Sequence, residues 1–517
     1  MMSLPQQCSI SLSVLLADFV VQDNCPDVDI KGITLDSRQV QAGDLFIAIK
    51  GAEADGTAFI PQAIERGAVA ILVEKEQTLE PQVNNSVPII GIENLVEYVS
   101  DIAGVFYDHP YRQMTLTAIT GTNGKTTCAH LYAELVDRLN KGSAASIGTL
   151  GYGMAGSSSG ADIPALGETG LTTPDAVAMQ RILAELKSKG ASTIALEVSS
   201  HSLVQRRIAG LQVDTAVFTN LSRDHLDYHG DLASYAAAKA RLFAMSGLKN
   251  AVINIDDSIG RLILANLDPN IRAITYSIEA QEEGGTADIY CRTIGLSPEG
   301  LRAAIHTPWG VGELRSPLLG KFNLANLLAV IGAAIAQDFA LEDILKAVPK
   351  LRAVSGRMEL VDAGASPSVV VDYAHTPDAL EKALQALRVH CHGMLWVVFG
   401  CGGDRDIGKR AEMGTIAETC ADQVVVTSDN PRSEDPQQII NQIVQGTSRE
   451  VIVDSDRRAA IRQAILAADK NDVVLIAGKG HEDYQILGAQ RLPFSDQGEA
   501  RLALRAREAL DLNGDLA

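Results

Sequence analysis

A glycine-rich turn between a strand-like and a helix-like run constrains this chain more than any other feature. The apolar stretch Met114 to Ile119 leads into Thr120-Gly121-Thr122-Asn123-Gly124-Lys125-Thr126-Thr127, and Cys128, Leu131, Tyr132, Leu135, Val136 and Leu139 then recur at helical spacing. Strand, turn and helix in that order make a phosphate-binding loop. Its glycines let backbone amides face phosphate oxygens, Lys125 can reach the terminal phosphates, and the Thr126 hydroxyl can bind Mg²⁺ at the positive end of a helix. ATP or another nucleoside triphosphate is the expected ligand. The usual spacing has glycine where this chain has Ile119, so Gly121 supplies the first turn and the loop is a variant subtype. The competing reading is a glycine turn that merely joins strand to helix.

At 517 residues the chain exceeds the size at which one core keeps growing, so about three domains of roughly 100–250 residues are expected. A formal net charge of −20 argues against a nucleic-acid-binding surface, which needs clustered Lys and Arg. Any anionic substrate must therefore be met by local basic residues. No basic start precedes the first apolar residues, and Asp18 interrupts Ile10 to Val21. The expectation is a soluble, cytoplasmic monomer without secretory signal or membrane span. Seven cysteines with no C-x-x-C pair suggest reduced thiols, and Cys128 reads as core.

Further strand-like runs are Thr193 to Leu196, Thr215 to Phe218, Ala251 to Ile255, Ser368 to Asp372, Leu395 to Phe399, Gln423 to Thr427 and Asp472 to Ile476, with helical patterns between most of them. Gly151 to Gly160, rich in Gly and Ser, reads as a loop. The alternation predicts an α/β fold in three domains. Residues 1–112 form a small α/β domain, 113–354 a central P-loop domain with a largely parallel sheet, and 355–517 a Rossmann-like α/β domain. Ligands are expected between domains and at strand C-termini.

Glu197 ends one strand-like run beside the phosphate loop, where a carboxylate can hold Mg²⁺ directly or through water. The alternative is a strand-end carboxylate paired with a surface base. Val198 to Arg207, dense in donors and positive charge, looks like an anion-binding loop. His225 lies between Asp224 and Asp227 after another strand; a ligand or acid–base role and a structural one both remain open. Lys239, by itself, is a solvated helix charge.

Taken together, Thr120 to Thr127, Glu197-Val198-Ser199-Ser200-His201, Asn220 through Asp224-His225-Leu226-Asp227, and Tyr235-Ala236-Ala237-Ala238-Lys239 resemble the Mur ligases, ATP-dependent amide-bond-forming enzymes of peptidoglycan synthesis. The resemblance runs over nearly the whole chain and is nearest to the branch that adds the third amino acid. It implies that Gly121, Thr122, Asn123, Gly124, Lys125, Thr126 and Thr127 hold ATP. Thr126 and Glu197 would hold one Mg²⁺, and His225 a second together with Lys239, carbamylated by CO₂. Carbamylation turns a cation that would repel the metal into an oxygen donor. Lys125, Lys239 and His225 are the implied catalytic residues. Gly320-Lys321-Phe322-Asn323-Leu324-Ala325-Asn326 is similar to a G-x-x-N-x-x-N element whose first asparagine, here Asn323, contacts adenine; capping of the following helix is the alternative. Arg357 and Asp372 match residues that close over ATP.

The resemblance also implies the other substrates. Leu35, Ser37 and Arg38, with Ala52, Glu53 and Ala54, match a uridine-nucleotide pocket, and Thr172, Thr173, Ser199, Gln205 and Arg207 match positions that hold a muramoyl-dipeptide. Leu171 departs from the asparagine that many relatives carry. Asp429-Asn430-Pro431-Arg432 alone would read as a β-turn; in the resemblance it selects meso-diaminopimelate, with Arg432 clamping the distal carboxylate. A planar guanidinium suits a carboxylate and repels the ammonium of lysine. Arg405, Gly478 and Glu482 complete that pocket, Glu482 meeting an ammonium.

The implied reaction adds meso-diaminopimelate to the D-glutamyl residue of UDP-N-acetylmuramoyl-L-alanyl-D-glutamate through an acyl phosphate. The rivals are the same fold adding L-lysine, a folylpolyglutamate synthase, and, in another class, an ATP-dependent regulatory switch.

Overall fold

The computed structural model describes residues 9–20, 26–51, 54–75, 87–140, 142–156, 167, 169–222, 224–279, 287–297, 300–361 and 367–514. Ala52 and Glu53 lie outside them. The chain divides into two compact units, Met1–Tyr276 with Ala329–Phe339, and Ser277–Leu328 with Ala340–Ala517.

The first unit holds a four-stranded parallel sheet and most strands of a larger, mainly parallel one. Gly32–Thr34, Asp44–Ala48, Ala70–Glu74 and Ile89–Ile92 pair in that order, all parallel. Alternate side chains serve opposite faces: Leu45, Ile47 and Leu72 enter one core, Phe46, Ile71 and Val73 another. In the larger sheet Thr115–Thr120 lies between Thr193–Glu197 and Thr215–Phe218, parallel to both, with Asn250–Asn254 and Arg272–Ser277 extending it on one side and Ala144–Gly148 on the other. Strands covered on both faces read as continuous apolar runs, which is why the sequence exposes them. Parallel pairing brings the loops after Thr120, Glu197 and Phe218 to one edge, where ligands of open α/β sheets bind.

One expectation needs correcting. Gly151–Met154 is a strand, antiparallel to Ala144–Gly148, and not part of a loop. Gly151 turns the chain with φ of 101°, and Tyr152 and Met154, two residues apart and so on one face, pack against the core of the larger sheet. Residues 157–160 of the same stretch lie outside the described residues.

In the second unit Ile289–Ser297, Gly300–Thr307 and Gly310–Ser316 form an antiparallel meander. A sheet in the order Glu359–Val361, Ser368–Asp372, Val473–Ala477, Leu395–Phe399, Gln423–Val426, Ile452–Val453 is parallel except at its first strand. Val370, Val397 and Leu475 face one core and Val371, Val398 and Ile476 the other. The loops after Asp372, Phe399, Val426 and Ala477 therefore share one edge. Among the described residues no helix is long and apolar enough to cross a membrane.

Candidate active site

The phosphate loop is fixed from the strand beside it. Asn220 accepts from the Thr122 N–H at 2.8 Å through its carbonyl and from the Asn123 N–H at 3.0 Å through its side chain, while the Thr219 hydroxyl donates to the Asn123 carbonyl at 2.7 Å. A Cβ on Gly121 would lie 1.9 Å from that hydroxyl, so only glycine lets the two loops approach. Lys125 opens the helix Lys125–Asn140 and folds back, donating to the carbonyls of Gly121 at 2.9 Å and Thr122 at 2.8 Å. Of the expected core stripe, Cys128 to Val136 is buried and Leu139 half-buried.

Glu197 is 2 % exposed at the end of its strand. Its carboxylate accepts from the Thr126 hydroxyl at 2.8 Å, and from the Thr149 N–H at 2.9 Å and hydroxyl at 3.1 Å, not from a surface base. Burial pushes its carboxyl up, against those hydrogen bonds. Thr149 is a contact that no sequence pattern marks.

Lys239 is not the solvated charge it would be by itself. It is 1 % exposed, its Nζ donating to the Gly121 carbonyl at 2.7 Å and lying 4.4 Å from the centre of the Tyr235 ring. Lys125 and Lys239 thus converge on one carbonyl oxygen. Burial first, and the Lys125 charge second, bring the Lys239 ammonium down to about 6. Tyr235 sits one helical turn before Lys239, a spacing that could have flagged the contact.

His225, with φ of 52°, is exposed, its Nε2 3.4 Å from Asp224. Its ring packs at 4.9 Å against His201, which lies 4.0 Å from Tyr228, while His229 lies 5.0 Å from Tyr235 and its Nε2 contacts the Ser200 hydroxyl at 2.8 Å. Among the described residues no group of three or more His, Cys, Asp and Glu gathers as a closed metal cage. Thr126, Glu197 and Thr149 instead offer an oxygen-rich, open set. That donor chemistry fits a hard cation whose other ligands are phosphate oxygens and water.

The positions expected to hold the dipeptide form one network. The Thr173 hydroxyl donates to the Glu197 carbonyl at 2.9 Å and accepts from the Ser199 N–H at 3.1 Å. Arg207 donates to the Thr173 carbonyl at 2.7 Å and through Nε and Nη2 to Gln205 at 3.0 and 2.6 Å. Thr172 receives the Thr149 hydroxyl at 3.2 Å, and Leu171 is exposed. In the four-stranded sheet's loops the Ser37 hydroxyl is turned inward onto Gln62 at 2.8 Å, Arg38 is exposed and paired with Asp36 at 2.9 Å, Leu35 is half-buried and Ala54 is exposed.

In the second unit Asn323 is buried, donating to the Leu319 carbonyl at 2.7 Å and accepting from Asn326 at 3.1 Å. Asp372 accepts from the Met358 and Ala374 N–H groups at 2.7 and 2.9 Å. Arg357 lies 4.9 Å from the Tyr373 ring centre, its Nε buried without a hydrogen-bond partner.

The loop Asp429 to Arg432 meets the loop after Ala477. Asn430 donates to Glu482 at 2.8 Å and accepts from the fully buried Lys479 at 3.0 Å, which also reaches Glu482 at 3.1 Å. Gly478 approaches Asp429 so closely that a Cβ there would lie 2.8 Å from its carboxylate. Arg432, with φ of 52°, donates through Nη1 to the Gly403 carbonyl at 2.8 Å. Its Nε and Nη2 make no hydrogen bond among the described residues, which leaves a bidentate edge for a carboxylate. Arg405 is exposed on the neighbouring loop.

Three family models match this chain in order: the Mur ligase family catalytic domain over residues 29–107, the Mur ligase middle domain over 119–334, and the Mur ligase glutamate ligase domain over 356–480. A UDP-N-acetylmuramoyl-L-alanyl-D-glutamate–2,6-diaminopimelate ligase of Pseudomonas putida is 48% identical over 93% of this chain and 96% of its own. The chain belongs to the Mur ligase family. A ligase of the same name from Coxiella burnetii is 46% identical over 92% of this chain and 96% of its own. A solved structure titled as that ligase superposes on this Mur ligase with a TM-score of 0.73, at 36% identity, covering 97% of this chain and all of the other.

Proposed function

We propose that this Mur ligase joins meso-diaminopimelate to the D-glutamyl residue of UDP-N-acetylmuramoyl-L-alanyl-D-glutamate, coupled to cleavage of ATP, as a step in making peptidoglycan precursors. The observation that carries this reading is near-full-length identity to ligases of that name; the free edge of Arg432 supports the choice of amino acid.

A carboxylate is a poor electrophile at neutral pH, so it must first be activated. Its oxygen attacks the γ-phosphorus of ATP, ADP leaves, and an acyl phosphate forms. The diaminopimelate amine then attacks the acyl carbon, phosphate leaves, and the amide remains. Lys125 and the amides of Gly121 to Thr127 bind the phosphates and stabilise charge on the transferring group. Bound Mg²⁺ would neutralise phosphate charge, held by Thr126 and Glu197, with His225 and Lys239 at a second ion. Lys239 serves as its carbamate: the free amine attacks CO₂, loses a proton, and becomes an anion. Its depressed basicity supports this, since a protonated amine has no lone pair to react.

Asn323, Arg357 and Asp372 are assigned to ATP by the same resemblance; the buried Arg357 Nε suits a phosphate oxygen. Arg207, Gln205, Ser199, Thr173 and Thr172 take the peptide, and Leu35, Ser37, Arg38 and Ala52 to Ala54 the uridine nucleotide. Asp429 to Arg432, Arg405, Gly478 and Glu482 take diaminopimelate. Glu482 is already engaged by Lys479 and Asn430, so an incoming ammonium would share its carboxylate. Segments 1–112, 113–354 and 355–517 act as uridine-nucleotide, ATP and amino-acid domains of a cytoplasmic monomer.

A phosphate-release assay tests the function. Release should require Mg²⁺, ATP, the UDP-linked dipeptide and diaminopimelate together; hydrolysis that ignores the last two would favour a regulatory switch.

A further inference from the structure

Arg410 is fully buried, in the helix Gly408–Cys420, yet its guanidinium is directed at two loops that carry the candidate amino-acid site. It donates to Glu434 through Nη1 and Nη2, each at 2.8 Å, to Gln442 at 2.6 Å, and to the Gly402 carbonyl at 3.2 Å. Glu434 in turn accepts from the Asp404 N–H at 2.6 Å and donates its own N–H to the Pro431 carbonyl at 3.0 Å. One ion pair therefore grips the residues on both sides of Gly403.

Gly403 is the residue that holds Arg432. Its carbonyl accepts from Arg432 Nη1 at 2.8 Å and its N–H donates to the Asn430 carbonyl at 2.9 Å. Both glycines are dictated by closeness. A Cβ on Gly403 would lie 2.0 Å from the Pro431 carbonyl, and one on Gly402 would lie 2.8 Å from Arg432 Nη1. A clasp on the rim closes the arrangement, the Ser433 hydroxyl donating to Asp404 at 2.5 Å. Arg432 itself has φ of 52°, a conformation that persists in a bulky residue only where its surroundings over-determine it.

We infer that Arg410 and Glu434 are positioning residues for amino-acid selection, fixing through Gly403 the direction in which Arg432 presents its free edge, a role that rests on the function proposed above. A packing role alone would not need every one of these bonds to end on residues 402–404 and 431–434 or on the next helix. A carboxylate clamp must be aimed to within a fraction of an ångström to gain two parallel hydrogen bonds. The ion pair supplies that aim from behind, without touching substrate.

The experiment compares Arg432→Ala, Glu434→Gln and Ser433→Ala in the full chain, measuring kcat and KM for each of the three substrates and the preference for diaminopimelate over L-lysine. Gln keeps the shape of Glu434 but turns one acceptor into a donor facing another donor. Glu434→Gln should raise the KM for diaminopimelate about tenfold, the loss expected when a charge-assisted contact is misdirected, and lower the preference over lysine. Its KM values for ATP and the UDP-linked dipeptide should stay within about twofold, as for sites that do not couple. Ser433→Ala, at the exposed clasp, should act in the same direction by about threefold and serves if Glu434→Gln does not fold. Both variants leaving the KM for diaminopimelate unchanged while Arg432→Ala raises it would overturn the inference alone. All constants worsening together would also overturn it, in favour of a purely structural pair. No change in Arg432→Ala would remove the reading of the pocket, and the inference with it.

Discussion

Burial and the neighbouring Lys125 charge favour the neutral amine of Lys239 over a second cation, and the phosphate loop itself holds Lys239 in that position. Lys239→Ala should lower turnover by about a hundredfold or more, as expected when a metal-positioning group is lost. Formate or acetate in the assay should restore part of the rate; full activity without rescue would show that no carbamate is needed. Gly148 is a second sensitive point, because a Cβ there would lie 1.9 Å from the Glu197 carboxylate. Gly148→Ala should keep the fold, reduce kcat about tenfold or more and raise the Mg²⁺ needed for half-maximal rate, since Glu197 must leave Thr126 and Thr149. An unchanged Mg²⁺ titration would separate Glu197 from the metal. Glu197 was legible because it ends an apolar run beside the phosphate loop. Thr149 and the burial of Lys239 were not, because their partners lie far away in sequence.

The elements that carry the site were the most legible part. Both-face burial makes Val369 to Val371, Val397 to Phe399 and Val473 to Ile476 continuous apolar runs, and parallel pairing then dictates that their following loops share an edge. Gly151–Met154 was hidden, since a strand that owes its place to backbone pairing and to two side chains, Tyr152 and Met154, carries a turn-like composition. The Arg410–Glu434 pair was hidden for the same reason as Thr149: it joins a helix to a loop 24 residues on. It has a consequence for acid stability. Hydrogen bonding to Arg410 brings the Glu434 carboxyl from 4.5 down to about 2. A depressed folded-state value means the stabilisation is fully present above the ordinary value of 4.5 and is lost as pH falls toward 2. Unfolding of the parent and Glu434→Gln should therefore differ most above about pH 5 and converge only as pH falls to about 2, where the folded carboxylate is protonated. A difference that is constant with pH would mean that the pair contributes nothing through charge.

At the scale of the molecule, three family matches in order and near-full-length identity to diaminopimelate-adding ligases make the reaction class a property of the whole chain rather than of its phosphate loop. The loop by itself announced only a nucleoside triphosphate. What the sequence could not convey is how the proposed amino-acid pocket is charged: Lys479 is fully buried between Asn430 and Glu482, and only the folded chain reveals that Arg432 has one edge anchored on Gly403 and, among the described residues, the other without a hydrogen bond. On the proposed function, this edge of Arg432 chooses the amine. The measurement that tests it most directly is phosphate release with Mg²⁺, ATP and the UDP-linked dipeptide, comparing meso-diaminopimelate with L-lysine at equal concentration. A kcat/KM at least about a hundredfold higher for meso-diaminopimelate is predicted, as for a buried charge left without its partner in the poorer substrate. Equal values for the two amines would contradict it.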